Sequence, residues 1–284
     1  TAYQWEILFV NDGSRDNTLQ IIKELRAQDE RVSYIDLSRN FGKETAMLAG
    51  FDYFDGDALV IIDADLQDPP ELIPQMLEKW EEGYDDVYAR RRTREGESFL
   101  KKATSKLFYR VLQRSTKIPI QKDTGDFRLL DKRCVGALCK MRESQRYTKG
   151  FFSWIGYNKA EILFDRAPRA AGKTKWNYLK LFQLAFDGIT SFTTAPLRFA
   201  TVSGLLVSLL ALLYMLFIFI RTLIFGNPVA GYPSLLVIML FLGGIQLISI
   251  GVIGEYIGRI FNETKHRPPY FVKEYNDERE QNEK

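Results

Sequence analysis

The stretch Leu59-Val60-Ile61-Ile62-Asp63-Ala64-Asp65-Leu66-Gln67-Asp68-Pro69-Pro70-Glu71 (LVIIDADLQDPPE, residues 59–71) joins an apolar run to a dense group of acids. Four apolar residues bounded by turn formers read as a short buried strand. The next nine residues carry four carboxylates, Asp63, Asp65, Asp68 and Glu71, and two prolines that stop the strand. Like charges so close repel unless a positive group lies between them. Upstream the same pattern recurs. Glu6–Val10 reads as a strand that ends in the turn Asn11-Asp12-Gly13-Ser14, and Asp16 or Asn17 can cap a helix running to about Gln28. Val32–Leu37 predicts a second strand, Thr45–Phe54 a helix, Ala58–Ile62 a third strand and Pro70–Glu82 a third helix. Strand and helix in alternation predict an α/β fold, a mostly parallel sheet with helices on both faces. Ligands bind such sheets off the carboxyl ends of the strands, where both acidic turns stand.

The 284 residues are 46% hydrophobic and 26% charged, enough for a sizeable core. Net charge is +3, and the basic residues between Arg90 and Arg133 suggest an anionic partner: nucleic acid, phosphate or a membrane surface. Cys134 and Cys139 lack CxxC spacing and His266 is the single histidine, which argues against a cysteine zinc site and for reduced thiols. Thr1 is not a start residue and no secretory signal follows it, so the natural N-terminus is expected further upstream.

Beyond residue 90 the character changes twice. Ser98–Gln113 predicts a basic amphipathic helix, suited to a membrane surface or, equally, to ordinary packing with a solvated face. Trp176–Phe192 is a second amphipathic segment, with Trp176 and Tyr178 suited to a headgroup boundary. Phe199–Ile220 carries no charge and spans about 33 Å as a helix, enough for a bilayer core. A turn at Gly226-Asn227-Pro228 leads into a second uncharged run, Tyr232–Ile253. Two buried helices of a soluble core would rarely lack charge on every face, so a transmembrane hairpin is expected. Arg198 precedes the hairpin, Arg259, Lys265, His266 and Arg267 follow it, and only Arg221 edges the loop. Both ends and the α/β domain are therefore expected in the cytoplasm. The predicted divisions are a catalytic domain over 1–170, a juxtamembrane segment over 171–196, and a hairpin over 197–258. The hairpin helices lie near 199–222 and 232–256, and a tail follows over 259–284.

A divalent cation would relieve the acidic turn. In D-x-D two carboxylates can point the same way from an extended segment, and hard oxygen donors with open positions suit Mg²⁺ or Mn²⁺. Asp63 and Asp65 are the candidate ligands, with Gln67 at the same parity, while Asp68 and Glu71 suit a helix start. Surface turns carry the same pattern, so the strand-end position matters. Asp12 is either plain turn chemistry or an acceptor for a base or ribose. The third signal is DTGDFRLLD, residues 123–131, in which Gly125 permits close approach, Asp126 supplies a carboxylate and Arg128 a guanidinium. Arg90, Arg91, Arg92, Lys173 and Lys175 are phosphate-clamping residue types, or else solvated surface charge.

These motifs carry a resemblance. FVNDGSRDNT, SRNFGKETAMLAGF, IIDADLQDPPE, DTGDFRLLD, GKTKWNYLKL and IGEYIGRIFNETKHRPPYFV occur in the order of membrane-bound family 2 glycosyltransferases. The chain resembles the polyprenyl-phosphate glycosyltransferases of the bactoprenol glucosyltransferase group and is similar to dolichol-phosphate mannose synthases. The resemblance covers nearly the whole chain, but the first strand with its nucleotide-binding loop is absent. It implies a GT-A fold, a nucleotide-sugar donor with UDP-glucose favoured, undecaprenyl phosphate as acceptor, and the bacterial inner membrane as location. By position, Asp12 would bind the nucleotide, and Asp65 would ligate Mg²⁺ or Mn²⁺ with Asp63 and Gln67 assisting. Asp63 would also meet the donor. Asp126 would sit at the reaction centre and Arg128 near the acceptor phosphate, with Arg90, Arg92, Lys173 and Lys175 at the phosphates. Nucleic acid is not an expected partner, the lipid bilayer is, and association of identical chains stays open. Two other readings remain. Two spans are few for the channel of a processive polysaccharide synthase, and a non-catalytic scaffold would have little need of the D-x-D acids.

Overall fold

Short apolar runs between turn formers give the strands, and each ends where charge begins. The computed structural model describes residues 3–65, 67–92, 124–144, 146–164, 195–225 and 231–276. Thr1–Leu181 and Arg267–Lys284 form one compact unit, and Phe182–His266 a second. In the first unit the strands are β1 (Ile7–Asn11), β2 (Val32–Leu37), β3 (Ala58–Ile61), β4 (Asp86–Arg91), β5 (Thr124–Asp131), β6 (Lys159–Phe164) and β7 (Val272–Tyr275). Its helices are α1 (Thr18–Gln28), α2 (Lys43–Asp52), α3 (Ile73–Glu81), α4 (Lys132–Cys139) and α5 (Thr148–Trp154).

The strands form two sheets, ordered β1-β2-β7 and β3-β5-β4-β6. Two of the pairings, β1 with β2 and β4 with β6, are parallel. Those of β2 with β7, β3 with β5 and β4 with β5 are antiparallel. The α/β class stands, with mixed pairing where a mostly parallel sheet was expected. The reason is that β5 runs between β3 and β4 against both, and β7 enters from the far end of the chain. The segment after the second long helix, expected as a tail, thus supplies a strand.

Alternation along β2 sends Ile35 and Leu37 toward Ala49 of α2, while Tyr34 on the other parity meets Lys23 of α1, 5.6 Å from its ring. Helices therefore cover both faces of the first sheet. The second sheet buries Val87, Ala89, Phe127, Leu129, Ile162 and Phe164 against Met76 of α3. Each of these side chains larger than Ala89 contributes about 1.5–3 kcal/mol by leaving water. The opposite face of that sheet carries Asp86, Asp126 and Arg128, with Leu130 and Phe152 buried beside them.

Helix starts differ in detail from expectation. Asp16, not Asn17, serves α1: its carboxylate accepts from the Thr18 amide at 3.1 Å. Helix α2 begins at Lys43, two residues before the predicted Thr45. The predicted helix Pro70–Glu82 divides into a single 3₁₀ turn, Pro70–Leu72, and α3. Prolines at 69, 70 and 74 remove amide donors from that first turn.

The second unit holds α6 (Ala195–Phe225) and α7 (Tyr232–Thr264). Phe199–Phe225 and Phe241–Thr264 have mean hydropathies of 2.5 and 1.4 and are long and apolar enough to cross a membrane. Helix α7 runs beyond the predicted residue 256. There Glu255 pairs with Arg259 at 2.9 Å, as their spacing of four predicts. The expected amphipathic helices at Ser98–Gln113 and Trp176–Phe192 lie outside the described residues.

Candidate active site

Gly13 fixes how the first turn meets the loop before α2. Its φ is +66°, and a Cβ placed there would lie 2.5 Å from the Asn40 amide nitrogen, so no other residue fits. This approach brings Asp12 onto residues 40–42. Its carboxylate accepts from the amides of Phe41 at 2.6 Å and Gly42 at 2.9 Å. Gly42 occupies the N-cap of α2 at φ +95° and offers no side chain, and Asp12 pins the two residues that lead into the helix. Beneath it, Asn11 donates to Asp36 at 2.8 Å.

The brace aims Lys43, the first residue of α2, at the acids. Lys43 Nζ lies 2.7 Å from Asp63 Oδ2, past the end of β3, and 2.6 Å from Asp126 Oδ2 on β5. Here is a positive group for the crowded turn, supplied by the chain itself. Burial alone would lower the Lys43 pKa, but the carboxylates of Asp126 and Asp63 reverse this and raise it. At Asp126, burial pushes upward and the ammonium groups of Lys43 and Lys149 outweigh it, so its carboxyl lies below the usual range. Asp126 Oδ1 is buried, with no hydrogen-bond partner among the described residues. Lys149 donates to the Thr124 carbonyl at 3.0 Å, and burial lowers its pKa despite the pull of Asp126. Glu44 accepts from the Thr148 amide at 2.9 Å and from the Thr148 hydroxyl. Burial pushes its carboxyl up to about 7, against the Thr148 amide bond, and the charge of Asp126 adds to the rise.

The other expected residues divide. Asp65 closes its own turn by accepting from the Gln67 amide at 3.1 Å, and Gln67 is buried. Arg128 stands apart: it is fully buried, donates to Asp86 at 3.0 Å and stacks 3.6 Å from the Phe152 ring centroid. Lys159 reaches the same Asp86 at 2.9 Å. The guanidinium so enclosed serves a buried ion pair, and its charge also helps to lower the pKa of Asp126. Arg90 lies 3.0 Å from Glu161 of β6, and Arg92 is exposed past the end of β4. Lys173 and Lys175 lie outside the described residues. A cleft of about 750 Å³, lined in part by Gly136, Lys140, Trp154 and Tyr157, contains none of these acids.

Reading the sequence missed Lys43, Glu44 and Lys149. Lys43 had a local signal, a lysine just after Gly42 at a helix start, whereas Lys149 in RYTKGFF had none. The donors at the site are carboxylate oxygens, two of which converge on one cationic atom, so in kind they suit a hard divalent ion. Among the described residues, no group of three His, Cys, Asp or Glu side chains is placed to hold a metal.

Comparison with known proteins agrees with this architecture. Residues 1–138 match glycosyl transferase family 2, and residues 195–260 match the GtrB C-terminal hairpin. The chain is 52% identical over 268 residues to an uncharacterized glycosyltransferase, sll0501, of Synechocystis sp., covering 94% of this chain and 84% of the relative. It is 48% identical over 271 residues to the bactoprenol glucosyl transferase of Shigella phage SfV, covering 95% and 88%. It is 44% identical over 274 residues to the putative glycosyltransferase CsbB of Bacillus subtilis, covering 96% and 83%. With an acid cluster at its strand ends, two long apolar helices and relatives matched along almost its whole length, the chain belongs to glycosyl transferase family 2 and carries the GtrB-type hairpin.

Proposed function

We propose that this glycosyltransferase moves glucose from UDP-glucose to undecaprenyl phosphate, giving the polyprenyl-phosphate sugar and UDP. The observation that carries the reading is the joint presence, in one chain, of the Asp63–Lys43–Asp126 cluster and a hairpin of the type found in bactoprenol glucosyl transferases. In the reaction an acceptor phosphate oxygen forms a bond to the anomeric carbon as the bond to the UDP oxygen breaks, with inversion. A phosphate monoester has a second pKa of about 6, so the attacking oxygen is largely ionised at neutral pH and a strong base is not needed. Asp126, held as a carboxylate by Lys43 and Lys149, then orients groups or balances positive character at the sugar carbon.

Both reactants are anions, so their approach costs electrostatic work. Asp65, with Asp63 and Gln67, would hold Mg²⁺ or Mn²⁺, which when bound neutralises the diphosphate and eases its departure. Asp12 steadies the loop beside the nucleotide, and Arg90, Arg92, Lys173 and Lys175 serve the phosphates. The hairpin would anchor residues 1–170 at the cytoplasmic face of the inner membrane, with 171–196 at the headgroups, where a polyprenyl phosphate presents its head.

The test is to incubate the purified full chain with undecaprenyl phosphate, Mg²⁺ or Mn²⁺ and a panel of nucleotide sugars, and to identify the lipid product. A glucosyl lipid from UDP-glucose is expected, abolished by EDTA. Absence of any sugar-lipid from the whole panel would overturn the reading, and a sugar trapped covalently on the protein would overturn the single displacement.

A further inference from the structure

The ammonium of Lys43 occupies the position that most needs explaining. It touches Asp63 at 2.7 Å and Asp126 at 2.6 Å, yet 48% of its side chain remains exposed. Its backbone is pinned on both sides. Ahead of it, the Gly42 amide is held by Asp12. Behind it, Glu44 is held by the amide and hydroxyl of Thr148. What remains free to move is the four-carbon stem, which carries a compact charge and loses little packing when it swings.

A carboxylate oxygen in contact with an ammonium cannot also take a divalent ion without setting two positive centres against each other. We infer that Lys43 is an exchangeable place-holder: it neutralises Asp63 and Asp126 while no donor is bound, and surrenders Asp63 when a divalent cation arrives with the diphosphate. The inference rests on the metal reading proposed above. The 2.6 Å contact also keeps Asp126 a carboxylate beside Asp63. The place-holder makes metal and nucleotide arrive together, because a bare cation must compete with a tethered one.

Mn²⁺ binding to the detergent-solubilised full chain, followed by electron paramagnetic resonance of the free ion, tests this without turnover. Without nucleotide, Lys43→Gln is expected to bind Mn²⁺ at least about 10-fold more tightly than the unsubstituted chain, a coupling of ordinary size. Lys43→Arg keeps the positive charge and is expected to keep the weak binding; melting curves of both variants report that the fold is intact. If the unsubstituted chain binds Mn²⁺ with UDP present but Lys43→Gln gains nothing without UDP, the place-holder is overturned and the metal reading stands. If neither chain binds Mn²⁺ even with UDP, the metal reading fails and the place-holder falls with it.

Discussion

Glu44 holds its proton to about pH 7 because it is buried beside Asp126. Its folded pKa lies above the ordinary 4.5, so the folded chain binds this proton more tightly than the unfolded chain. The resulting stability is fully present below about pH 4.5 and is lost as pH rises to about 7, by up to ~3 kcal/mol. Glu44→Gln should therefore flatten the decline in melting temperature between pH 5 and pH 8; an unchanged decline would assign it to other groups. Arg128 makes a different demand. Its removal leaves Asp86 buried with Lys159 as its remaining cation among the described residues, so Arg128→Ala should destabilise the catalytic unit by about 3 kcal/mol in denaturant titrations. An effect on lipid-sugar synthesis with no loss of stability would instead restore Arg128 to the site. Asp65→Asn should cut transfer at least ~10²-fold, in line with the loss of a transition-state charge partner, while leaving the melting temperature within about 2 °C. Near-normal transfer would remove Asp65 from the metal site. Asp63, which meets Lys43, was legible because an apolar run ended on it. Lys43 carried only its helix-start signal and Lys149 none, because both act on Asp126 from positions far away along the chain, and local pattern carries no such distance.

At the scale of elements, periodicity located β2 at its observed bounds and the other early strands to within a residue. Direction of pairing was beyond its reach. An apolar run such as Leu59–Ile62 reads the same whether its neighbours run with it or against it, and only the path of the connections decides. The short apolar stretch at Val272 was likewise hidden among charges. In the fold its contacts are clear: Glu274 reaches Lys23 at 2.7 Å, Lys273 reaches Asp36 at 3.3 Å, and Tyr275 meets the Tyr53 ring edge-on at 4.5 Å. Just before it, Tyr270 donates to Asp52 at 2.7 Å, and Arg142 holds the same carboxylate. Exposed pairs of this kind contribute little singly, but the strand also covers the edge of β2. A chain ending at Arg267 should therefore melt more than about 5 °C lower in its catalytic unit. An unaltered melt would show that β7 adds no stability.

For the molecule as a whole, the proposed orientation places the loop over residues 226–230 on the far side of the membrane from the active site. The native thiols give a quiet background for testing this, since burial pushes Cys134 up to about 12 and Cys139 up to about 11. Asn227→Cys should react with a membrane-impermeant maleimide from outside spheroplasts, and labelling confined to inverted vesicles would reverse the topology. The return of β7 to β2 also has a consequence for biogenesis. Leu37 leaves the ribosome more than two hundred residues before Val272, and both apolar helices are translated in between. At about 5–20 residues per second, the flank of β2 stays open for ten seconds or more. On the proposed topology the hairpin would meet the membrane while the sheet still lacks β7, so the enzyme would engage the bilayer before it is fully folded.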